Sequence, residues 1–258
     1  MKRKFLLAIL IVPIILLVFG GTKSEKKNTV KVPKGFVFIP LGSAKISGKN
    51  RIIQPFYMSE TEVTNEQYHE FLEELKKQGR EKEYEIAKID NVLWGQFDIS
   101  GISDYANEYK HKQNCPVVNI SKSGAELYCK WLSSKYPENI TEFRLPTTTE
   151  WEYAALGGYI DSPFPWGGQC LKNSKGYLAQ FKVLGSTYGP VPVKTFQPND
   201  WGLFDMIGNV SEMVSDTNIV RGGSWNNTGD EIQISTCEKF SVSPMVGFRL
   251  VISYISNK

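Results

Sequence analysis

The pattern of hydrophobic and polar positions divides the chain into three stretches. A nearly unbroken apolar run extends from Phe5 to Phe19, and a polar, lysine-rich segment covers residues 22–34. From residue 35 onward short apolar runs alternate with polar loops, and neither the helical nor the strand period persists for long. This pattern predicts an N-terminal apolar segment over residues 1–21, a linker over 22–34 and one loop-rich domain over 35–258.

The N-terminal segment has the features of an export signal. Three basic residues precede about fifteen apolar ones, which is typical of a secretory signal and short for a spanning helix, since that needs roughly 20 residues. An uncleaved N-terminal anchor is the alternative. Either interpretation predicts an exported protein, whether periplasmic, membrane-anchored or extracellular, that meets the membrane only through this segment. A lipoprotein anchor at this point is not supported, because Gly21 is followed directly by Thr22 and not by a cysteine.

Three helices are predicted by their N-terminal capping patterns. Thr64 and Gln67 form a capping box, and the helix that follows places Tyr68, Phe71 and Leu75 on one side. Ser121 or Ser123 caps a second amphipathic helix. Thr147 and Glu150 form a further capping box, which opens a third, short helix.

The remaining stretches predict short strands and long loops. Residues 76–112 and 157–192 lack a clean period, so both are predicted to be largely irregular. Strands are predicted by short apolar runs bounded by turn residues. These runs are Gly35–Pro40, Ile52–Met58, Pro116–Ile120, Ile232–Thr236 and Gly247–Ile252.

Composition narrows the classes of function. A formal net charge of +3 over 258 residues, without a basic patch, gives no reason to expect nucleic-acid binding. With only two histidines, far apart in the sequence, a histidine-based metal site or a Ser-His-Asp triad is not expected. Export makes the cysteines (Cys115, Cys129, Cys170 and Cys237) available for disulfides, and their spacing leaves the pairing open. Buried free thiols are the alternative, above all for Cys129.

The glycine-rich stretch from Asn199 to Trp225 contains the candidate metal ligands. Asp205, Gly208, Val210 and Glu212 follow the order D-x-x-G-x-V-x-E. A glycine that lets the backbone turn back would direct two carboxylates and two carbonyls at one centre, and hard oxygen ligands of that kind suit Ca²⁺. The alternative is a turn acid and a solvated acid. The Arg-Gly-Gly-Ser run after it lacks the Lys and the strand-loop-helix context of a phosphate loop.

Seven motifs in order resemble the sulfatase-modifying-factor family, the formylglycine-generating-enzyme fold. They are ETEVTNEQYHEFL, PVVNISKSGAELYCKWLS, RLPTTTEWEYAALGG, PFPWGG, PNDWGLFDMIGNVSEM, RGGSW and GFRLV, which together span residues 60–251. The resemblance covers nearly all of the chain after the linker. It implies an α+β fold related to C-type lectins and low in regular secondary structure.

The same resemblance bears on catalysis and metals. Enzymes of the family oxidise a sulfatase cysteine to formylglycine with a cysteine pair that binds copper, and the matching positions here hold Asn227 and Ile232. Neither side chain can bind Cu(I) as a thiolate does, so copper and the oxidase activity are not expected. The family's better-retained calcium site maps onto Asp205, Gly208, Val210 and Glu212. Its other calcium site maps onto Ala179 and Gly185 and is expected to be lost.

These inferences predict an exported, non-catalytic domain that serves as a binding or scaffold module. Its partner would be a protein, a peptide or a glycan in the cell envelope. An oxidoreductase of the family, generating formylglycine or using altered metal chemistry, is the alternative. The ligand-contact candidates are Trp225, Asn226 and Asn227, in the loop where a lectin-like relative would vary its surface, although Trp225 equally suits the core.

Overall fold

A computed structural model describes residues 32–46, 48–96, 102–136, 142–183 and 189–253. Residues 31–258 group into one compact unit. The predicted signal segment, most of the linker and Gly185 lie outside the described residues. Within them, no helix combines the length and the apolar composition needed to cross a bilayer.

Two four-stranded sheets and two hairpins contain the strands of the described residues. The strands are β1 (Phe36–Ile39), β2 (Gly42–Ile46), β3 (Lys49–Ile53), β4 (Phe56–Ser59), β5 (Phe143–Arg144), β6 (Lys172–Asn173), β7 (Gly176–Tyr177), β8 (Ser211–Met213), β9 (Ile219–Arg221), β10 (Cys237–Lys239), β11 (Val246–Gly247) and β12 (Val251–Ser253). The first sheet has the order β1-β4-β12-β5 and the second has the order β10-β9-β8-β11, while β2 pairs with β3 and β6 with β7. All pairs are antiparallel except β8 with β11.

The described residues contain five α-helices: α1 (Asn65–Lys77), α2 (Glu81–Ala87), α3 (Ile102–Tyr109), α4 (Lys122–Ser134) and α5 (Thr148–Leu156). The capping predictions are confirmed at Thr64 and Thr147, where both halves of each capping box form, and at Ser121, whose hydroxyl accepts from the N–H of Gly124. Helix α5 ends at Gly157 in the left-handed conformation (φ 59°), which glycine adopts without strain. Short 3-10 helices cover Asn91–Gln96 and Gly229–Glu231.

Several predicted boundaries are wrong. Residues 76–112 are not an irregular excursion, because α2, a 3-10 helix and α3 lie there. Pro116–Ile120 forms only an isolated bridge from Pro116 to Thr64, and the strand predicted over Ile232–Thr236 forms later, at β10. Ile52–Met58 is two strands separated at Pro55, whose ring supplies no N–H for a ladder.

The apolar side chains collect in three clusters. The first surrounds Trp151 and Met58, and the second surrounds Tyr68 and Phe248. A smaller third cluster contains Trp94, Val210 and Trp225. The α+β fold with abundant loops, expected from the resemblance, is confirmed.

The four cysteines are free thiols and not disulfide partners. Cys115 and Cys129 are buried, and burial raises the pKa of Cys115 to about 11 and that of Cys129 to about 12. Both thiols therefore keep their protons at neutral pH. Cys170 and Cys237 are exposed.

Candidate functional site

Two of the predicted calcium ligands, Asp205 and Glu212, lie near a buried arginine. Strand β8 places Glu212 opposite Gly247 of β11, and the chain continues from β11 to Arg249. Glu212 is 1% exposed and Arg249 is 0% exposed. Together with Glu62 and Asp205, these two residues form what we term the charge cluster.

Glu212 accepts three hydrogen bonds at this site. Its Oε2 accepts from Arg249 Nε at 2.7 Å and from Trp151 Nε1 at 2.7 Å, and its Oε1 accepts from Arg249 Nη2 at 2.7 Å. A bidentate arginine–carboxylate pair is among the stronger arrangements of these groups. Glu212 thus ties α5 and β8 to the segment between β11 and β12, and these donors occupy three of the roughly four acceptor positions of its carboxylate.

The guanidinium of Arg249 satisfies its other donors on backbone carbonyls. Nη2 donates to the carbonyl oxygen of Phe204 at 2.8 Å, and Nη1 donates to those of Ser59 and Glu60 at 3.2 and 3.3 Å. These carbonyls come from segments far apart in sequence. Arg249 therefore joins the end of the first sheet to the loop that carries Asp205.

Asp205 differs from Glu212, because only one of its oxygens is bonded. Oδ2 accepts from the backbone N–H of Lys194 at 2.9 Å, whereas the buried Oδ1 has no hydrogen-bond partner among the described residues. The residue has φ of 53°, a conformation that Asp and Asn tolerate better than other residues. Burial raises the pKa of Asp205 to about 6, with the nearby Glu212 adding to the rise and Lys194 N–H and Arg249 opposing it.

Glu62 is the member of the cluster that the sequence prediction missed. It is 1% exposed, its Oε1 accepts from Asn209 Nδ2 at 2.9 Å, and its Oε2 lacks a partner within the described part of the chain. Burial, and next the charge of Asp205, raise the pKa of Glu62 well above its usual range. Its place in the sequence, two residues before the Thr64 cap, gave the only signal.

Three acids thus share one buried cation. If all were ionised, the cluster would hold a net charge of −2, which is costly in an interior of low dielectric. Two buried carboxylate oxygens, one of Asp205 and one of Glu62, are free to bind a hard cation or a proton. Among the described residues, no three His, Cys, Asp or Glu side chains are grouped closely enough to hold a metal by themselves. A metal here would need backbone or water oxygens as well.

The other two predicted residues, Gly208 and Val210, lie in the chain between Asp205 and Glu212. Gly208 has φ of 70° and donates its N–H to the carbonyl of Gly222 at 3.0 Å. A Cβ at Gly208 would lie 2.3 Å from the carbonyl oxygen of Gln180, so no larger residue fits. The Val210 side chain belongs to the third apolar cluster.

The loop after β9 contains the positions that the resemblance assigned to copper. Asn227 Oδ1 accepts from the N–H of Ser224 at 2.9 Å and from its hydroxyl at 2.7 Å, and Asn227 Nδ2 donates to Glu238 Oε1 at 2.7 Å. Ile232 is 0% exposed and belongs to the first apolar cluster. Asn227 therefore stabilises the loop through hydrogen bonds, and Ile232 is part of the core. Neither side chain is a suitable ligand for a copper ion.

Arg221 fixes the same loop to α5. It forms a buried ion pair with Glu152 and donates to the carbonyls of Ile234 and Ser235 at 3.1 and 3.3 Å. Its guanidinium lies 5.6 Å from the centre of the Trp151 ring. The loop is thus held from both sides.

The ligand-contact candidates are placed differently from one another. Trp225 is 2% exposed, stacks on Trp94 at 6.3 Å and donates Nε1–H to the carbonyl of Pro244 at 3.1 Å, so it is a core residue here and not a contact surface. Asn226 is half-buried. Asn227 is half-buried too, and its amide is used within the loop.

A family model, the sulfatase-modifying factor enzyme 1-like domain, matches residues 18–254. The chain belongs to this family. It is 29% identical over 212 residues to the inactive C-alpha-formylglycine-generating enzyme 2 of Mus musculus. This alignment covers 69% of this chain and 66% of the relative. It is 26% identical over 232 residues to the formylglycine-generating enzyme of Bos taurus, covering 76% of this chain and 60% of that protein.

The fold also matches a solved structure. PvdO from Pseudomonas aeruginosa superposes with a TM-score of 0.62 at 22% identity, over 85% of this chain and 94% of the other. At this identity the likeness concerns the fold alone. It agrees with the α+β architecture described above.

Proposed function

We propose that this member of the family is an exported, non-catalytic module that binds a protein, a peptide or a glycan, or organises a complex, in the cell envelope. The observation that supports it is the loop after β9. Where a copper-binding pair would need two accessible thiols, Asn227 braces the turn through Ser224 and Glu238, and Ile232 is part of the core. A mammalian relative named as inactive is consistent with a family in which the fold serves without the oxidase chemistry.

Export is supported by the sequence alone. The basic residues before the apolar run at Phe5–Phe19 have the order of a secretory signal. A cleaved signal would release the domain, and an uncleaved one would hold it at the membrane surface.

An oxidoreductase of the family is the alternative function. It would require a thiol pair from elsewhere in the fold. Cys237 lies exposed on β10, opposite Arg221, and Cys170 is exposed in a loop. A copper titration therefore decides between the two functions.

We expect the purified full chain to take up no stoichiometric Cu(I) and to form no aldehyde on a sulfatase-type cysteine peptide. The measurement is a competition titration with a chromogenic Cu(I) chelator, run with mass spectrometry of the peptide. The Cys170→Ser/Cys237→Ser double variant is the control, because it removes weak binding by exposed thiols. One tightly bound copper together with aldehyde product would contradict the proposal and establish the oxidase.

We further propose that the charge cluster takes up one Ca²⁺ through Asp205. The support is the unpartnered Oδ1 of Asp205 and the unpartnered Oε2 of Glu62, both buried. Glu212, which the sequence offered as a ligand, is instead the ion-pair partner of Arg249. A bound calcium ion would offset the excess negative charge of the cluster.

Calcium should therefore stabilise the fold. At about one hundred times its dissociation constant a ligand adds about 2.7 kcal/mol, which corresponds to roughly 5–10 °C in Tm for a chain of this size. Differential scanning calorimetry with calcium and with EGTA measures this shift. Glu62→Gln should reduce it, whereas the exposed Glu66→Gln should not. Identical melting curves with and without calcium would show that protonation alone balances the cluster.

A further inference from the structure

A groove of about 530 Å³ lies between the hairpin β2–β3 and the loop that follows α5. Its volume is within the range of ligand-binding sites, roughly 300–1,000 Å³. None of its lining residues belongs to the charge cluster or to the loop after β9. One wall is Gly42, Ser43, Ala44 and Lys45, and the facing wall includes Tyr159, Ile160 and Trp201.

The first wall is the edge of a strand. Its four residues are consecutive in β2, and successive side chains of a strand point to opposite faces. Because residues of both faces line the groove, β2 presents its edge to it. In the described residues β2 pairs only with β3, so this edge holds no other strand.

The register of the hairpin identifies which backbone groups are free. Ile46 pairs with Lys49 across a two-residue turn, and such a turn is closed by a hydrogen-bonded pair. Pairs alternate along an antiparallel ladder, so Ala44 with Arg51 is hydrogen-bonded and Ser43 with Ile52 is not. The N–H and C=O of Ser43 and Lys45 therefore point away from β3, and among the described residues no backbone bond from elsewhere reaches them.

The second wall is aromatic and partly exposed. Tyr153 and Trp201 contact each other edge to face at 4.9 Å, and Tyr159 donates its hydroxyl to Asp200 at 2.8 Å. Ile160 is 92% exposed. A Cβ at Gly42 would lie 2.1 Å from the Tyr153 hydroxyl. The strand therefore approaches this wall so closely that only glycine fits at this position.

We propose that this groove binds an extended peptide, which adds as a strand to the free edge of β2. The backbone groups of Ser43 and Lys45 would pair with the peptide backbone, and apolar side chains at alternate positions of the peptide would contact Tyr159, Ile160 and Trp201. At about 3.4 Å per residue the groove edge accommodates roughly four residues of peptide. The free backbone donors and acceptors favour a peptide over a glycan. This inference rests on the proposed binding role and gives it a surface and a class of partner.

The test uses a random twelve-residue peptide library displayed on phage, selected on the full chain. We expect enrichment of sequences with apolar residues at every second position. A synthetic peptide from the selection should lose about ten-fold or more in affinity for Ser43→Pro, which removes an N–H that faces the groove and leaves the hairpin ladder intact. Ile52→Pro is the matched control, because it removes the N–H of the opposite residue on the other edge, and it should bind within two-fold of the parent.

A second pair of variants avoids the backbone. Ile160→Asp places a charge on the apolar wall at a fully solvated position, so folding is unaffected and peptide binding should fall by about ten-fold. Val92→Asp, at a site 79% exposed elsewhere, is its control. Three results would each overturn the inference. They are a selection that enriches no peptides, equal peptide affinity for the parent, Ser43→Pro and Ile160→Asp, and binding of the protein to glycans on an array but not to peptides. The copper and aldehyde assay tests the proposed function separately, so a failure of the peptide-binding inference is distinguishable from a failure of the proposed function.

Discussion

Arg249→Met should destabilise the fold by roughly 3–5 kcal/mol, the cost of removing one partner from a buried ion pair. Methionine keeps much of the volume but leaves Glu212 facing Trp151 without a cation, beside Asp205 and Glu62. The carbonyls of Ser59 and Phe204 lose the guanidinium donor as well, whereas that of Glu60 keeps the N–H of Phe204. Urea unfolding, followed by circular dichroism at pH 8, measures the loss.

The control for this prediction is Arg144→Met. Arg144 forms a similar bidentate pair with Glu150, at 2.6 and 2.7 Å, but the side chains are 30% and 16% exposed, compared with 0% and 1% for Arg249 and Glu212. Water can solvate the partner that remains, so the cost should be much smaller. Acid should also lessen the effect of Arg249→Met, because protonation removes charge from Asp205 and Glu62. Equal losses for the two variants would show that burial does not decide the energetics of these pairs.

Asp205→Asn should stabilise the calcium-free protein at pH 8 by about 2–3 kcal/mol, since each unit of pKa shift corresponds to about 1.4 kcal/mol. The pKa of Asp205 is raised from 3.8 when unfolded to about 6 when folded. Between these values the folded state retains a proton that the unfolded state has lost, so stability falls as pH rises from about 4 to 6 and stays low above that. Asparagine does not titrate, can still accept from Lys194 N–H and tolerates the positive φ.

The pH dependence is the readout that distinguishes this effect from a general change in packing. Parent and variant should have similar stability near pH 4, diverge between pH 4 and 6, and differ by a constant amount above pH 6, as measured by urea unfolding in EGTA. Calcium should then narrow the difference, by stabilising the parent more than the variant. A constant difference at all pH values would show that the Asp205 carboxylate does not titrate as described.

Local signals in the sequence predicted the local elements correctly. The Thr64 and Thr147 capping boxes involve residues three apart, and their chemistry does not depend on the rest of the fold. The sequence also predicted α5 and the loop-rich stretch after it from residues that are close together in the chain. Strands of two or three residues, such as β11, form because they pair with segments distant in the sequence. A run of two residues is too short to show a strand pattern that would predict them.

The site was only partly predictable for a related reason. The D-x-x-G-x-V-x-E pattern located Asp205 and Glu212, but their roles depend on Arg249, which the chain places 37 residues after Glu212. A signal was available, because an arginine inside the apolar run GFRLV implies a buried acid partner. The signal for Glu62 was weaker, because an acidic residue just before a helix N-cap is ordinarily solvated.

The burial of Ile232 has a consequence for how the family's chemistry could be gained or lost. A cysteine substituted at this position would face the first apolar cluster. The packing there is so close that a Cβ added to Gly223 would lie 2.8 Å from the Ile232 side chain. Its thiol would keep its proton, as the buried Cys115 and Cys129 do. A cysteine at position 227 would in turn release Ser224 and Glu238. In this fold a working pair requires a loop that exposes both positions to one solvent-filled space, so two codon changes alone would not convert this chain into an oxidase.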